Sequence, residues 1–296
     1  MSKKTLEYEV PLTVGMQRLL LIASGLVFII GIPLFLLPTY SQFFAWTINP
    51  PLTATFLGAG YWASTLIEYL ASKEPSWPRA RVAVPAVLTF TALTFVATVL
   101  HIDKFHFGAD FAWYTRIGTW VWLLVYASVP GLMSVLWWRQ EKGLGEIATE
   151  ALPVSAPQPL PNWYRGLLSA QGGAMILLGV LMFIWPVQVA VVWPWALSAL
   201  TGRAVGAWLV GIGLTLAHSG WENDWRHIYS SCVSSAVLGI LQLLALWRFA
   251  DSIHPLTGEI VINWNQPAIW IYLIFFLSTG LAGAYGWYYI RQSGLK

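Results

Sequence analysis

Residues 19–37 and 82–100 are two runs of nineteen residues without a single charged side chain. A helix at the surface of a soluble domain needs a polar face, and these runs have none. Their length instead matches the hydrocarbon core of a bilayer. Lipid offers the backbone no hydrogen-bond partner, so segments of this kind must be helical. The same test selects 52–72, 117–138, 167–185, 200–218, 228–247 and 267–290, which gives eight transmembrane helices. A hydrophobic fraction of 57%, a charged fraction of 10% and a mean hydropathy of +0.62 agree in excluding an ordinary soluble protein. The first run resembles a signal sequence in position. It lacks a small-residue cleavage site and has an internal twin at 167–185, so it reads as a retained helix.

That twin belongs to a longer repetition. Shifted by 148 residues, Phe35-Leu-Leu-Pro38 falls on Phe183-Ile-Trp-Pro186, and Leu52–Ala59 on Leu200–Ala207. In the same register Glu74-Pro-Ser-Trp77 meets Glu222-Asn-Asp-Trp225, and Asp103-Lys-Phe-His106 meets Asp251-Ser-Ile-His254. Near the end the shift grows to 152, where Arg139-Gln140 meets Arg291-Gln292. Several matches in one register read as a tandem duplication. The domains are then a four-helix repeat over 1–150, a linker over 151–161 and a second four-helix repeat over 162–296. The linker carries Pro153, Pro157, Pro159 and Pro161 and no charge, so it is extended and stiff.

Orientation follows from lysine and arginine. With the N-terminus inside, the inner segments hold Lys3, Lys4, Arg18, Lys73, Arg79, Arg81, Arg139, Lys142, Arg165, Arg226, Arg291 and Lys296. The outer segments hold Lys104, Arg116, Arg203 and Arg248. This bias places both termini in the cytoplasm and suits a bacterial plasma membrane. Four helices per half keep the halves parallel, related by a pseudo-twofold axis along the membrane normal. The outer loops 38–51 and 186–202 are uncharged and rich in Trp, Phe and Pro, which predicts that they lie against the outer interface. Most tryptophans read as belt residues. Trp77, Trp137, Trp138, Trp163, Trp221, Trp225 and Trp287 mark the inner edge; Trp46, Trp113, Trp193, Trp195 and Trp264 mark the outer one.

Few residues suggest chemistry. Asp103 and His106, and their counterparts Asp251 and His254, are spaced to share a helical turn on the outer side. Brought together by the pseudo-axis they would make a two-His, two-Asp metal site, against a bland reading as polar helix ends. Glu68 and His218 are titratable groups within the runs, near cytoplasmic ends where a side chain snorkels. They are candidates for a proton-transfer or quinone-headgroup role. His218 and His227 are close enough in sequence to meet as haem ligands, although no histidine falls near the bilayer midplane. Trp62 and Trp208 sit deeper and are candidates to line a ligand groove or to fill the core. The spacing Ala54-x-x-x-Gly58, repeated as Gly202-x-x-x-Gly206, allows close helix approach, either between helices two and six or within each half.

The single cysteine, Cys232, excludes an intramolecular disulfide and a thiolate cluster. No lysine/arginine run suggests a nucleic-acid partner, and GxSxG, HExxH and P-loop signatures are absent. The sequence therefore points first to a non-catalytic membrane protein. Such a chain is an accessory or scaffold subunit of a membrane complex, or a module that binds lipid or another hydrophobic ligand. Its partners are membrane lipids or other membrane subunits. The alternatives are a transporter of a lipid or neutral apolar solute, and a haem-, quinone- or pigment-associated subunit of an electron-transfer complex. A membrane enzyme built on the outer Asp/His pairs is the remaining class.

Overall fold

A computed structural model describes residues 8–148, 150 and 152–295. Lys3, Lys4, Ala151 and Lys296, which enter the readings above, lie outside the described residues. Among the described residues eight helices are long: α1 (Val14–Leu36), α2 (Pro51–Ser72), α3 (Ala83–Leu100), α4 (Trp113–Glu141), α5 (Asn162–Ile184), α6 (Ala199–Glu222), α7 (Tyr229–Arg248) and α8 (Pro267–Gln292). Several begin a turn earlier than the apolar runs. The first turns of α1 and α5 are polar on one side, but Met16 and Tyr164 in them are fully buried.

Seven of the eight are long and apolar enough to cross a membrane, so the chain is a helical membrane protein. The exception is α2, which has the length but carries Thr53, Thr55, Ser64, Thr65 and Glu68. These are tolerated because protein surrounds the helix. Thr53, Thr55 and Glu68 are all buried, and Thr55 and Thr65 return hydrogen bonds to the carbonyls of Pro51 and Tyr61.

Packing runs between the sequence halves as well as within them. α1 lies along α2, α5 along α6, α7 along α8, and α3 against α4; across the halves α2 packs on α7 and α3 on α6. Central and peripheral helices differ accordingly: 72% of the apolar window of α6 is buried, against 22% for α4. The outward faces of the peripheral helices present Phe28, Ile29, Trp120, Leu124, Ile271 and Ile274, as helices bathed in lipid do.

The tightest approaches occur at small residues. A Cβ on Gly58 would lie 2.6 Å from the Phe35 backbone nitrogen, and one on Gly206 2.7 Å from the Gly179 carbonyl oxygen and 3.0 Å from the Phe183 nitrogen. The small-residue motifs thus seat α2 on α1 and α6 on α5. Of the two arrangements the motif allowed, the structure adopts the one within each half, and α2 and α6 touch only marginally.

At one end of the bundle, called here the linker end, two extended straps cross the helices. Trp77 donates its backbone N–H to the Val10 carbonyl and Trp225 to the Gln158 carbonyl, while Leu12 and Leu160 plug into the core. The linker is therefore pinned down along its length. The opposite end carries the Trp- and Phe-rich loops. Here and at the linker end the belt reading needs correction. Trp46, Trp77, Trp193, Trp195 and Trp225 are buried, whereas Trp113, Trp138, Trp163 and Trp221 are exposed. Trp46 stacks edge-on against Trp122, and Trp195 donates its indole N–H to Thr53 Oγ1, so the aromatic loops fold inward over the helices.

Two outcomes are expected. Gly58→Leu or Gly206→Leu should destabilise the protein by about 1–3 kcal/mol through overpacking, while Gly25→Ala and Gly173→Ala, which face open space, should stay within about 1 kcal/mol of the parent in a detergent thermal-shift assay. Because α2–α7 and α3–α6 are cross-half contacts, halves cut at 155 and coexpressed should copurify, and neither should accumulate alone; quantitative blots of membrane fractions check this.

Candidate functional site

Polar side chains gather in three places. At the linker end Glu222 is the last residue of α6; its side chain is almost fully buried and collects three donors. Arg81, in the corner before α3, approaches it two-pronged, with Nη2 2.8 Å from Oε2. His218 Nε2 lies 3.1 Å and His227 Nδ1 3.0 Å from its two oxygens. His218 and His227, the pair read as candidate haem ligands, converge on this one carboxylate. Next to them Asp224 forms a two-pronged pair with Arg226, at 3.0 and 2.6 Å. Burial acts to raise the Asp224 pKa, yet the Arg226 hydrogen bonds outweigh it and hold the carboxylate below its usual range.

At the aromatic-loop end the Asp/His pairs do not assemble. Asp103 sits in a short 3₁₀ turn, is exposed and pairs with Lys104. His106 lies beyond that turn, after the extended Phe105, so the two do not share a helical face. It is buried, donates Nδ1–H to the Phe44 carbonyl at 2.7 Å, faces Thr47 Oγ1 with Nε2 and stacks on Phe111. Burial lowers its pKa despite that carbonyl. His254 accepts the Leu256 and Thr257 backbone N–H groups on Nδ1 in a hairpin turn, and Asp251 is exposed nearby. Among the described residues no three His, Cys, Asp or Glu side chains come close enough to hold a metal ion. A further histidine that sequence reasoning left without a role, His101, accepts Arg203 Nη1 at 2.7 Å; burial first, then that guanidinium, lower its pKa.

The third place is inside the bundle. Glu68 is 1% exposed, so it does not snorkel to the helix end as its position suggested. Ser64, one turn earlier, donates to Oε1 at 2.7 Å, and Oε2 has no partner. The carboxyl borders a cavity of about 60 Å³ among α1, α2, α3 and α4. Two turns along α2, Tyr61 and Tyr126 share a hydrogen bond of 2.7 Å. Tyr126, Leu26, Ile30 and Val125 also line a larger apolar cleft of about 230 Å³ between α1 and α4, roofed by Phe43 and Phe44.

A comparable cleft of about 180 Å³ lies between α5 and α8. On α4 the first cleft is lined by Gly118, Val121, Trp122, Val125 and Tyr126; on α8 the second is lined by Ala268, Ile271, Tyr272, Phe275 and Phe276. Trp208 borders a small central cavity of about 40 Å³ among α2, α3, α6 and α7, whereas Trp62 packs on Phe35 and reaches the Phe28 carbonyl. Comparison of the chain with protein-family models, with curated proteins and with solved structures finds no match in any of the three.

The Asp224–Arg226 pair yields a pH prediction. A carboxylate whose pKa is depressed on folding stabilises above its unfolded value and loses that contribution as pH falls through the folded one. Asp224→Asn should therefore cost about 2 kcal/mol at pH 7. The gap to the parent should close below about pH 4, measured by thermal unfolding across pH.

Proposed function

We propose that this is an eight-span membrane protein that binds the apolar chains of lipids, or of similarly hydrophobic molecules, in two equivalent intramembrane clefts. The observation that carries the reading is the match between the clefts. The α4 lining positions recur on α8, each 150 residues later, a register that replaces the shift of 152 read from Arg139-Gln140, and Leu26 and Ile30 of α1 correspond to Ala174 and Leu178 of α5, each 148 later. Every α4–α8 pair differs in identity: Gly118 against Ala268, Val121 against Ile271, Trp122 against Tyr272, Val125 against Phe275, Tyr126 against Phe276. Side chains have changed at each position and the space between the helices is present in both halves. Both clefts are almost wholly apolar, which suits hydrocarbon and not a solvated substrate.

The same reading takes the chain as a tandem duplication about a pseudo-twofold axis, with the linker end cytoplasmic. Its support is the recurrence of packing details 148 residues apart, including Gly58 on Phe35 with Gly206 on Phe183, and Trp77–Val10 with Trp225–Gln158. The excess of lysine and arginine at the linker end supports the orientation. α2, though too polar for a lone span, crosses within a sheath of other helices. A role as the lipid-binding subunit of a larger membrane assembly is compatible with this activity.

Gly118 faces open space, so Gly118→Leu fills the first cleft without touching backbone. Displacing about two methylene groups of a bound chain costs about 1.6 kcal/mol, or roughly tenfold in affinity. Titration of delipidated protein with brominated phospholipid, read by tryptophan quenching, should show that loss at one of two sites in the variant. Parent protein that shows no saturable quenching would overturn the reading.

A further inference from the structure

Resting on the lipid-chain reading, we infer that the first cleft selects a chain that ends in a hydroxyl group, and that Glu68 Oε2 is the atom that recognises it. The second cleft takes apolar chains without this selection.

The first support is the orphan oxygen. Glu68 has one carboxyl oxygen engaged by Ser64 and the other buried without a partner. An unsatisfied buried polar atom within a membrane bundle is costly, and such residues are normally met by a ligand or by another protein group. The second is room. The cavity beside the carboxyl measures about 60 Å³, larger than the ~15 Å³ that a single water needs, and its other lining groups are mostly apolar.

Continuity is the third support. Leu26, Ile30, Val125 and Tyr126 border both this cavity and the 230 Å³ cleft, so the cavity is the inner end of one groove. On α1 the groove runs from Leu19 to Pro33, about 21 Å at 1.5 Å per residue. An apolar chain lying in the cleft reaches the carboxyl with its end group.

The chemistry of the end group follows from the carboxyl. An ionised Oε2 only accepts a hydrogen bond, while a protonated one donates. A hydroxyl satisfies either form, because it both donates and accepts. A carbonyl satisfies only the second.

The second half lacks the recognising group. The position 148 residues after Glu68 is Leu216; Gln171 of α5 donates to Ser278 of α8 at 2.7 Å, tying those two helices together, and although its Oε1 also lacks a partner, Gln171 does not border the second cleft. The first half has Ala23 at the position matching Gln171.

The test uses full-length delipidated protein in detergent with two probes, a dibrominated octadecanol and the dibrominated octadecane of the same bromine positions, read by tryptophan quenching. The parent should bind the alcohol roughly tenfold more tightly than the hydrocarbon at one of two sites, as one added hydrogen bond predicts. Glu68→Leu should abolish that preference and keep hydrocarbon quenching, which also reports an intact fold. Glu68→Gln, still able to donate and accept, should retain it. Equal binding of both probes by the parent, or an alcohol preference that survives in Glu68→Leu, overturns the assignment and leaves the cleft reading standing. Quenching by neither probe overturns both.

Discussion

The close approach of α2 to α1 and of α6 to α5 is the constraint on which the architecture depends. Lipid tails are as apolar as leucine, so helices in a bilayer gain little from hiding hydrocarbon from one another and associate where backbones can touch. Gly58 and Gly206 supply that contact, with space for no more than a hydrogen at either. Drawing α1 onto α2 and α5 onto α6 pushes the second helix of each pair inward. It also pulls α1 away from α4 and α5 away from α8, where contacts are sparse. The two clefts open there. The same geometry that secures the bundle thus leaves apolar space in both sequence halves.

Once α2 and α6 are enclosed, polar residues on them no longer face lipid, and the interior can hold groups that a lone span could not. Glu68, Gln242 and the Tyr61–Tyr126 pair are examples: Gln242 donates to the Phe56 carbonyl and accepts Tyr272 Oη–H, binding α7 to α2 and α8. At the ends, charges join the sequence halves. Arg81 reaches Glu222 at the linker end; at the other, Arg203 reaches His101, and Arg248 donates to the Phe35 and Leu36 carbonyls that α1 leaves unpaired at its C-terminus. Charges that mark topology in the sequence also serve as ties between distant helices.

The two clefts differ in what lies beyond them. Both are apolar slots between a first and a fourth helix, and both are roofed by an aromatic loop. Only the first continues to a carboxyl with a free oxygen. In the second, leucine stands at the corresponding position and a glutamine–serine bridge ties the flanking helices. On the proposed reading, a difference of two or three side chains separates a slot for any hydrocarbon from one that also reads a polar end.

The sequence by itself determined that the chain is helical and belongs in a membrane, and it located the helices to within a turn or so. Uncharged runs of bilayer length permit little else, since both backbone satisfaction and transfer energy are local properties. It also pointed to Glu68, His218 and His227 as unusual, because a titratable group near an apolar run stands out. The tertiary structure alone decided what each of them meets: the cavity for Glu68, and the shared Glu222 carboxylate for the two histidines. It likewise turned Trp46, Trp193 and Trp195 inward and set an exposed Asp103 apart from a buried His106. The reason is physical. A helix apolar on every side carries no polar stripe to show which face meets a neighbour, so the pairing of residues a hundred or more positions apart is settled only when the helices dock.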